Sequence, residues 1–589
     1  MSRLRRYNLL VVLAAIVLLS LLPLPAFWVA QLNYTGLFAL TCLGLVLLTG
    51  VAGLTSFGQA AFVGIGAYTA AWCALNLGWP PTVTLILGVT LTGVSAWVIG
   101  RITLRLSGHY LPLATIAWGL SLYYLMGNLE ALGKYDGLIG LNSLTLFGHE
   151  IGQGRGFFVV SWSLLWVATV ALTFLLNSRP GRAIRSLKDG RQMAEAMGVD
   201  TFGYKVTIFV IAAVLASVAG WLMAYYQRAV NPSAFGLKWG IEYLFMVVVG
   251  GAGSLWGAWL GAGVVRVLDE QLQAWLPQLL GMSGSFESIV FGVMLVLILK
   301  YRPDGLWSWV QQGLGKTERT RDWDDADVLA QRIKPAMGDA VLDVQKIRKS
   351  FGGLVAVNDI SFQVRAGQIV GLIGPNGAGK STTFNLITGT LPLSGGEVYF
   401  GGQPVHGLHA RDIAKRGLMR TFQHVKMIPE MSVLDNVAIG AHSRSKGEVF
   451  SAILRRNRGE EKSIMAEAER QLKRVGLGDW MHEQAANLPM GQQRLMEIAR
   501  ALCADPTLLL LDEPAAGLRY LEKQELMRVL RQLQSEGMSI LLVEHDMDLV
   551  MDVCETIVVM EFGTYLTQGT PDEVQADPKV RAAYLGTEH

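Results

Sequence analysis

The chain has 589 residues, enough for several domains, with 51% hydrophobic residues, only 16% charged residues and a formal net charge of +3. That charge balance offers nothing to a nucleic-acid partner, and the charged fraction lies well below the roughly 25% of soluble proteins. The four cysteines, Cys42, Cys73, Cys503 and Cys554, form no CxxC pair, so neither a zinc site nor a disulfide framework is indicated and reduced thiols are expected.

The averages conceal two halves. Charged side chains number 29 in the first 310 residues and 68 in the remaining 279, and residues 7 to 100 contain none. A surface that long is not solvated without charge, so the first half is expected to sit in lipid as a polytopic helical domain over 1–310. Apolar runs long enough to cross a bilayer lie near 8–30, 34–53, 57–78, 81–102, 109–127, 156–177, 205–228 and 283–300, about eight crossings. The first follows Arg3, Arg5 and Arg6 and is longer than a signal-peptide core, which predicts a retained helix with the N-terminus in the cytoplasm. Arg101 and Arg105 mark one inside loop. Arg179, Arg182, Arg185, Lys188 and Arg191 mark another, and the loop with Glu130, Asp136 and Glu150 is expected outside. Parity leaves the Gly-rich run 240–266, with "GGAGS" at 250–254, either as a re-entrant segment lining a cavity or as one tilted helix packed through small residues. His109, Arg228, Lys238, Glu242 and Arg266 fall near expected span ends, where snorkelling accounts for them without a substrate role.

Residues 311–340, with "KTERTRDWDDAD", read as a polar, solvated linker. From 341 to 589 short β-rich runs alternate with helical patterns, as in an α/β domain. "GLIGPNGAGKST" places Gly374, Pro375, Asn376, Gly377, Ala378, Gly379, Lys380, Ser381 and Thr382 between an apolar strand and a helix. That is the context a phosphate-binding loop requires: glycines admit phosphate to backbone N–H groups, Lys380 reaches the outer phosphates, and Ser381 ligates magnesium. "TLLLLDEP" predicts a buried parallel strand ending in Asp512, a magnesium-binding acid, and Glu513, which would polarise the attacking water.

At this point the region from about 341 to the end resembles the ABC-transporter ATPases. The resemblance implies ATP and Mg2+ as cofactors. It implies that Gln423 in "RTFQHV" senses magnesium and the membrane partner, that His545 in "LLVEHD" contacts the outer phosphate, and that Phe351 in "KSFGGLVAV" stacks on adenine. "LPMGQQRLMEIARAL" (488–502) is similar to the family's signature segment, in which Gly491 and Gln492 would serve ATP held by a second subunit. Pro489 and Met490 stand where the family has Ser-Gly, and Arg519 and Tyr520 stand in the loop after Glu513 where it has Asp before Pro. In the first half, "LTSFGQAAFVGIGAYTAAW", "LRLSGHYLPLATIAWG" and "GRAIRSLKDGRQMAEAMGV" resemble permease subunits of branched-chain amino-acid (Liv-type) ABC importers. "LLLDEPAAGL" and the ending "AAYLG" resemble the ATP-binding subunit of the same system. The resemblance implies ATP-driven import across the bacterial inner membrane by a fused permease and ATPase. It implies a second permease subunit, a second ATPase and a periplasmic binding protein as partners, with the bilayer around them. It also implies that residues 181–199 couple to the ATPase. A fused exporter half and a membrane-anchored ATPase that moves no solute are the alternatives.

Overall fold

The structure is a computed structural model that describes residues 3–106, 110–280, 287–314 and 321–585. His109, residues 315–320 of the expected linker and the final glycine of "AAYLG" lie outside the described residues. The chain divides into two units: Met1–Asn177 with Phe202–Thr320 and Ile453–Arg455, and Ser178–Thr201 with Arg321–Ala452 and Arg456–His589.

The first unit is built from helices. They are α1 (Arg3–Leu21), α2 (Ala26–Leu45, continued by a π-helical turn Val46–Val51), α3 (Gln59–Leu77), α4 (Pro81–Thr103), α5 (Tyr110–Asn128) and α6 (Arg155–Leu176). After α7 (Arg179–Asp189) and α8 (Arg191–Ala196), which belong to the other unit, come α9 (Thr201–Gln227), α10 (Leu237–Gly250), α11 (Leu255–Leu280), α12 (Glu287–Tyr301) and α13 (Gly305–Leu314). Two small ribbons, β1 (Leu138–Ile139) with β4 (Ala229–Val230) and β2 (Leu144–Leu146) with β3 (His149–Ile151), tie the connections.

One expectation about the spans needs correction, and one left open is narrowed. The run 8–30 is not one helix: Pro23 and Pro25 cannot continue the ladder, so α1 stops at Leu21 and α2 starts at Ala26. For the run 240–266 the alternative of one tilted helix falls away, because α10 and α11 meet at a 114° bend where "GGAGS" stands, as in a broken span or a re-entrant segment. A Cβ on Gly250 would lie 1.9 Å from the Gly257 carbonyl, so only glycine lets the two helices close this tightly. Among the described residues, five helices are long and apolar enough to cross a bilayer: Ala26–Val51, Gln59–Leu77, Pro81–Thr103, Arg155–Leu176 and Thr201–Gln227. The bent pair and the shorter apolar helices Leu9–Leu21 and Ile289–Tyr301 accompany them. α2 is the core of the unit, buried nearly throughout from Thr35 and packed on α6, α10 and α11. α3 and α9 also approach to backbone contact, since a Cβ on Gly220 would sit 1.9 Å from the Val63 carbonyl oxygen.

The second unit is α/β. An antiparallel sheet, in the order β6-β5-β8-β9, joins β5 (Ala340–Phe351), β6 (Leu354–Arg365), β8 (Gly395–Phe400) and β9 (Gln403–Pro404). The central sheet runs β10-β11-β12-β7-β13-β14, from β7 (Ile369–Ile373), β10 (Leu418–Arg420), β11 (Leu508–Asp512), β12 (Ser539–Val543), β13 (Thr556–Glu561) and β14 (Thr564–Gly569). All its pairings are parallel except β13 with β14. β7, β11 and β12 are buried at every residue, which explains their unbroken apolar runs. Around the sheets lie α14 (Lys380–Ile387), α15 (Ala410–Arg416), α16 (Val433–Ala438), α17 (Val449–Ile453), α18 (Arg458–Arg474), α19 (Met490–Cys503), α20 (Tyr520–Ser535), α21 (Met547–Val553), α22 (Pro571–Ala576) and α23 (Pro578–Leu585).

The linker is not the solvated tether its composition suggests. Helix α13 runs into its expected start, and the stretch after residue 320 lies against the ATPase. Trp323 and Leu329 are buried in the core with Ile464, Met465 and Leu472. The Trp323 indole donates to Glu469 Oε2 at 2.6 Å, Arg332 donates to the Lys415 carbonyl at 2.7 Å, and Lys334 pairs with Asp505 at 2.7 Å. Two apolar side chains, spaced six apart in a charged stretch, carry the burial. Trp323→Ala should therefore destabilise this unit by about 3 kcal/mol through lost packing and the loss of one hydrogen bond to Glu469, which keeps Arg321 and Lys473 as partners. Denaturant unfolding of the purified chain reads the loss, and a wild-type midpoint in W323A would return the segment to a free tether.

Candidate nucleotide site

The phosphate loop follows β7. Gly374 (φ 157°), Gly377 (φ 83°) and Gly379 (φ 93°) take backbone angles that suit glycine, and a Cβ on Gly374 would lie 2.1 Å from the Met560 carbonyl. Ala378 is buried under the loop, with its N–H donating to the Pro375 carbonyl at 3.1 Å. Lys380 opens α14 and folds back over the loop, its Nζ donating to the carbonyls of Gly374 at 2.7 Å and Pro375 at 3.0 Å. Burial lowers the Lys380 pKa and nearby Glu513 raises it. Ser381 is exposed and Thr382 half-buried at the helix N-terminus, where unpaired N–H groups favour an anion. Asn376 and Gly377 form the exposed crest.

At the end of β11 the two carboxylates diverge. Asp512 is buried; its Oδ2 accepts from Arg420 at 2.9 Å, and its Oδ1 is a buried oxygen without a partner. Burial pushes the Asp512 pKa up, and Arg420 opposes that shift. Glu513 takes φ 47°, which turns its side chain away from the strand direction. Its Oε2 accepts from Gln423 Nε2 at 2.9 Å and lies 3.8 Å from His545 Nδ1. The structure thus gathers Glu513, Gln423 and His545 around one oxygen.

Phe351 ends β5 as a partly exposed ring with the Lys349 ammonium 5.1 Å from its centroid. Gly491 does not meet the loop. The neighbour of Gly491 is Glu522 of α20, whose carboxylate oxygen would lie 2.8 Å from a Cβ at 491. Glu522 in turn accepts from the Arg519 N–H at 2.8 Å, so the signature touches the loop where the family's Asp is missing. α19 starts at Met490, with Pro489 as its N-cap and no side-chain cap. The Gln492 side-chain oxygen is buried without a partner.

Four residues escaped the sequence reading. Arg420 is one. Glu544 is fully buried; its oxygens accept from the N–H groups of Ala515 at 2.6 Å and His545 at 2.9 Å, so it fixes the backbone beside both Glu513 and His545. Arg494, in α19, donates to the carbonyls of Phe422 at 2.8 Å and of Gln423. Tyr584 of α23 lies beside the Gly374 backbone, with burial pushing its pKa up to about 12. All four lie inside motifs the sequence made visible, in "RTFQHV", "LLVEHD", "LPMGQQRLMEIARAL" and "AAYLG", but nothing in those motifs marked their roles.

The segment 178–201 packs into this unit. The Arg179 Nη1 donates to the Gly447 carbonyl at 2.6 Å, Arg182 pairs with Glu461, Lys188 with Glu430 at 3.2 Å and Asp200 with Arg411 at 2.5 Å. Met193 and Met197 join a core with Ile428, Met431 and Leu434, just beyond Gln423.

Fold and motifs define an ATP-binding ABC ATPase joined to a helical membrane domain. Sequence profiles agree and go further. The family described as the branched-chain amino acid transport system permease component matches residues 28–299, the ABC transporter family matches 357–516, and the branched-chain amino acid ATP-binding cassette transporter family matches 566–589. The high-affinity branched-chain amino acid transport ATP-binding protein LivG of Salmonella typhimurium is 42% identical over 253 residues, 42% of this chain and 99% of that protein. LivG of Escherichia coli K12 is 41% identical and BraF of Pseudomonas aeruginosa 39%, each over the same shares. A solved nucleotide-free cassette from an ABC transporter is 30% identical with a TM-score of 0.38, over 42% of this chain and 100% of that one. The chain belongs to the branched-chain amino-acid ABC transporters, as a permease and a transport-coupled ATPase in one polypeptide.

Gly198, at φ 83°, abuts Ser443 and Lys415, with 3.3 and 3.4 Å available to a Cβ. Gly198→Val should strain the backbone and weaken docking by about 1–3 kcal/mol, lowering uptake while basal ATP hydrolysis persists. Parallel uptake and hydrolysis assays in proteoliposomes check this, and equal loss of both would place the defect in the ATPase itself.

Proposed function

We propose that this chain is one half of an importer of branched-chain amino acids in the bacterial inner membrane, with its N-terminus and ATPase in the cytoplasm. The names of its relatives support the substrate class. The basic segment 178–201, packed within the ATP-binding unit, supports a cytoplasmic assignment for that loop. A second permease subunit, a second ATPase and a periplasmic binding protein complete the transporter. The observation that carries this reading is the separation of motifs: Gly491 faces Glu522 and not the phosphate loop of its own chain.

In this reading Gly374 to Thr382 hold the ATP phosphates, Lys380 leaves its loop carbonyls for the outer phosphates, and Phe351 supports the adenine. The orphaned Asp512 Oδ1 suits a hard cation, and Ser381, Asp512 and Gln423 would hold Mg2+. Bound magnesium supplies charge neutralisation for the phosphates. Gln423 and His545 hold Glu513 Oε2, which leaves Oε1 to take a proton from the attacking water. Gly491, Gln492 and the start of α19 serve the partner's ATP through backbone N–H groups, since Pro489 provides no hydroxyl.

Lys380→Ala should abolish uptake while the chain still inserts. Glu513→Gln should slow hydrolysis about a hundredfold or more and trap ATP on this chain. Gly491→Asp should spare nucleotide binding to this chain's own loop yet stop hydrolysis in the complex, because its carboxylate would face both Glu522 and phosphate. Nucleotide trapping on each subunit of the purified complex distinguishes these cases. Loss of ATP binding by G491D in the isolated chain, or undiminished hydrolysis in the complex, would defeat the composite site.

A further inference from the structure

We infer that Arg420 is a positioning residue that aims the Asp512 carboxylate at the metal. Arg420 ends β10 and is buried. Its Nη2 donates to Asp512 Oδ2 at 2.9 Å, while its Nη1 donates to Asn385 Oδ1 at 2.6 Å and Thr388 Oγ1 at 3.2 Å. Asn385 and Thr388 lie at the far end of the helix that begins with Lys380, Asn385 within it and Thr388 as its C-cap. The guanidinium also lies 5.9 Å from the Phe384 ring centroid and 5.2 Å from that of Phe422. The planar fork therefore ties three elements together: the phosphate-loop helix, the strand ending in Asp512, and the segment leading to Gln423.

The consequence falls on one atom. A carboxylate with a free torsion presents either oxygen. With Oδ2 held by a buried guanidinium, Oδ1 alone remains, buried and without a partner. An unpaired buried oxygen is costly unless a ligand completes it. Arg420 thus stores the orientation in advance of the cation, as outer-shell partners do at metal sites. Lysine keeps the charge but not the fork, so it cannot reach Asp512, Asn385 and Thr388 together.

This inference rests on Asp512 being a magnesium ligand, and the test separates the two. Fluorescent ATP-analogue binding to the purified full-length chain is titrated in EDTA and across Mg2+ concentrations. Arg420→Gln should bind the analogue in EDTA as the wild type does, but its Mg2+ midpoint should rise about tenfold or more. Arg420→Lys should fall between the two. Asp512→Asn should lose the Mg2+ response altogether. A wild-type or lower midpoint in R420Q overturns the positioning role. Weakened binding by R420Q and R420K in EDTA as much as in Mg2+ shows a structural role and also overturns it. A full Mg2+ response in D512N overturns the ligand assignment for Asp512 instead.

Discussion

One guanidinium holds the catalytic half in register. Arg494 projects from the signature helix and grips the backbone carbonyls of Phe422 and Gln423, and its neighbour Glu497 accepts from the Lys426 N–H at 2.9 Å. A loop otherwise free to move is clamped at its carbonyls and at an amide. The far end is fixed as well, because Asn436 both donates to and accepts from the Ile428 backbone. Ile428 and Met431 are in turn packed by Met193 and Met197. Physical contact is therefore continuous from the membrane-derived segment, through the loop, to the side chain that touches Glu513.

Such a design concentrates charge where water is scarce. Arg182, Arg420, Arg494, Arg500, Glu467, Glu497, Asp512 and Glu544 are all buried. Each has a named partner: Glu461 for Arg182, Asp512 for Arg420, Glu497 for Arg494 and Arg500, Arg444 for Glu467, and backbone amides for Glu544. Buried pairs of this kind add little net stability compared with apolar packing. Their strict geometry instead restricts the arrangements open to the loops that surround the phosphate site.

What was legible in the sequence was local. The phosphate loop announces itself because its glycines, lysine and hydroxyls are consecutive, and the strand before it is apolar at every position. Asp512 and Glu513 follow for the same reason. The roles of Arg420, Glu544 and Arg494 were not legible, although each stands in a visible motif, because each acts through a partner tens of residues away. The charged stretch around Trp323 was misread since its composition is dominated by solvated side chains and only two residues are buried. In the membrane half, uniform hydropathy concealed where helices stop, and backbone chemistry decided it: prolines at 23 and 25, and the glycines at 250 and 251.

The stretch anchored by Trp323 also changes the supply of parts. A separate ATPase subunit finds its permease by diffusion, in competition with every related transporter in the cell. Here the segment 178–201 and the surface it packs on are on one polypeptide, so they meet at effective concentrations on the order of millimolar. Docking contacts such as Lys188 with Glu430 then need only geometry, not the affinity that capture from solution would demand. The one-to-one ratio of this permease to this ATPase is set at translation.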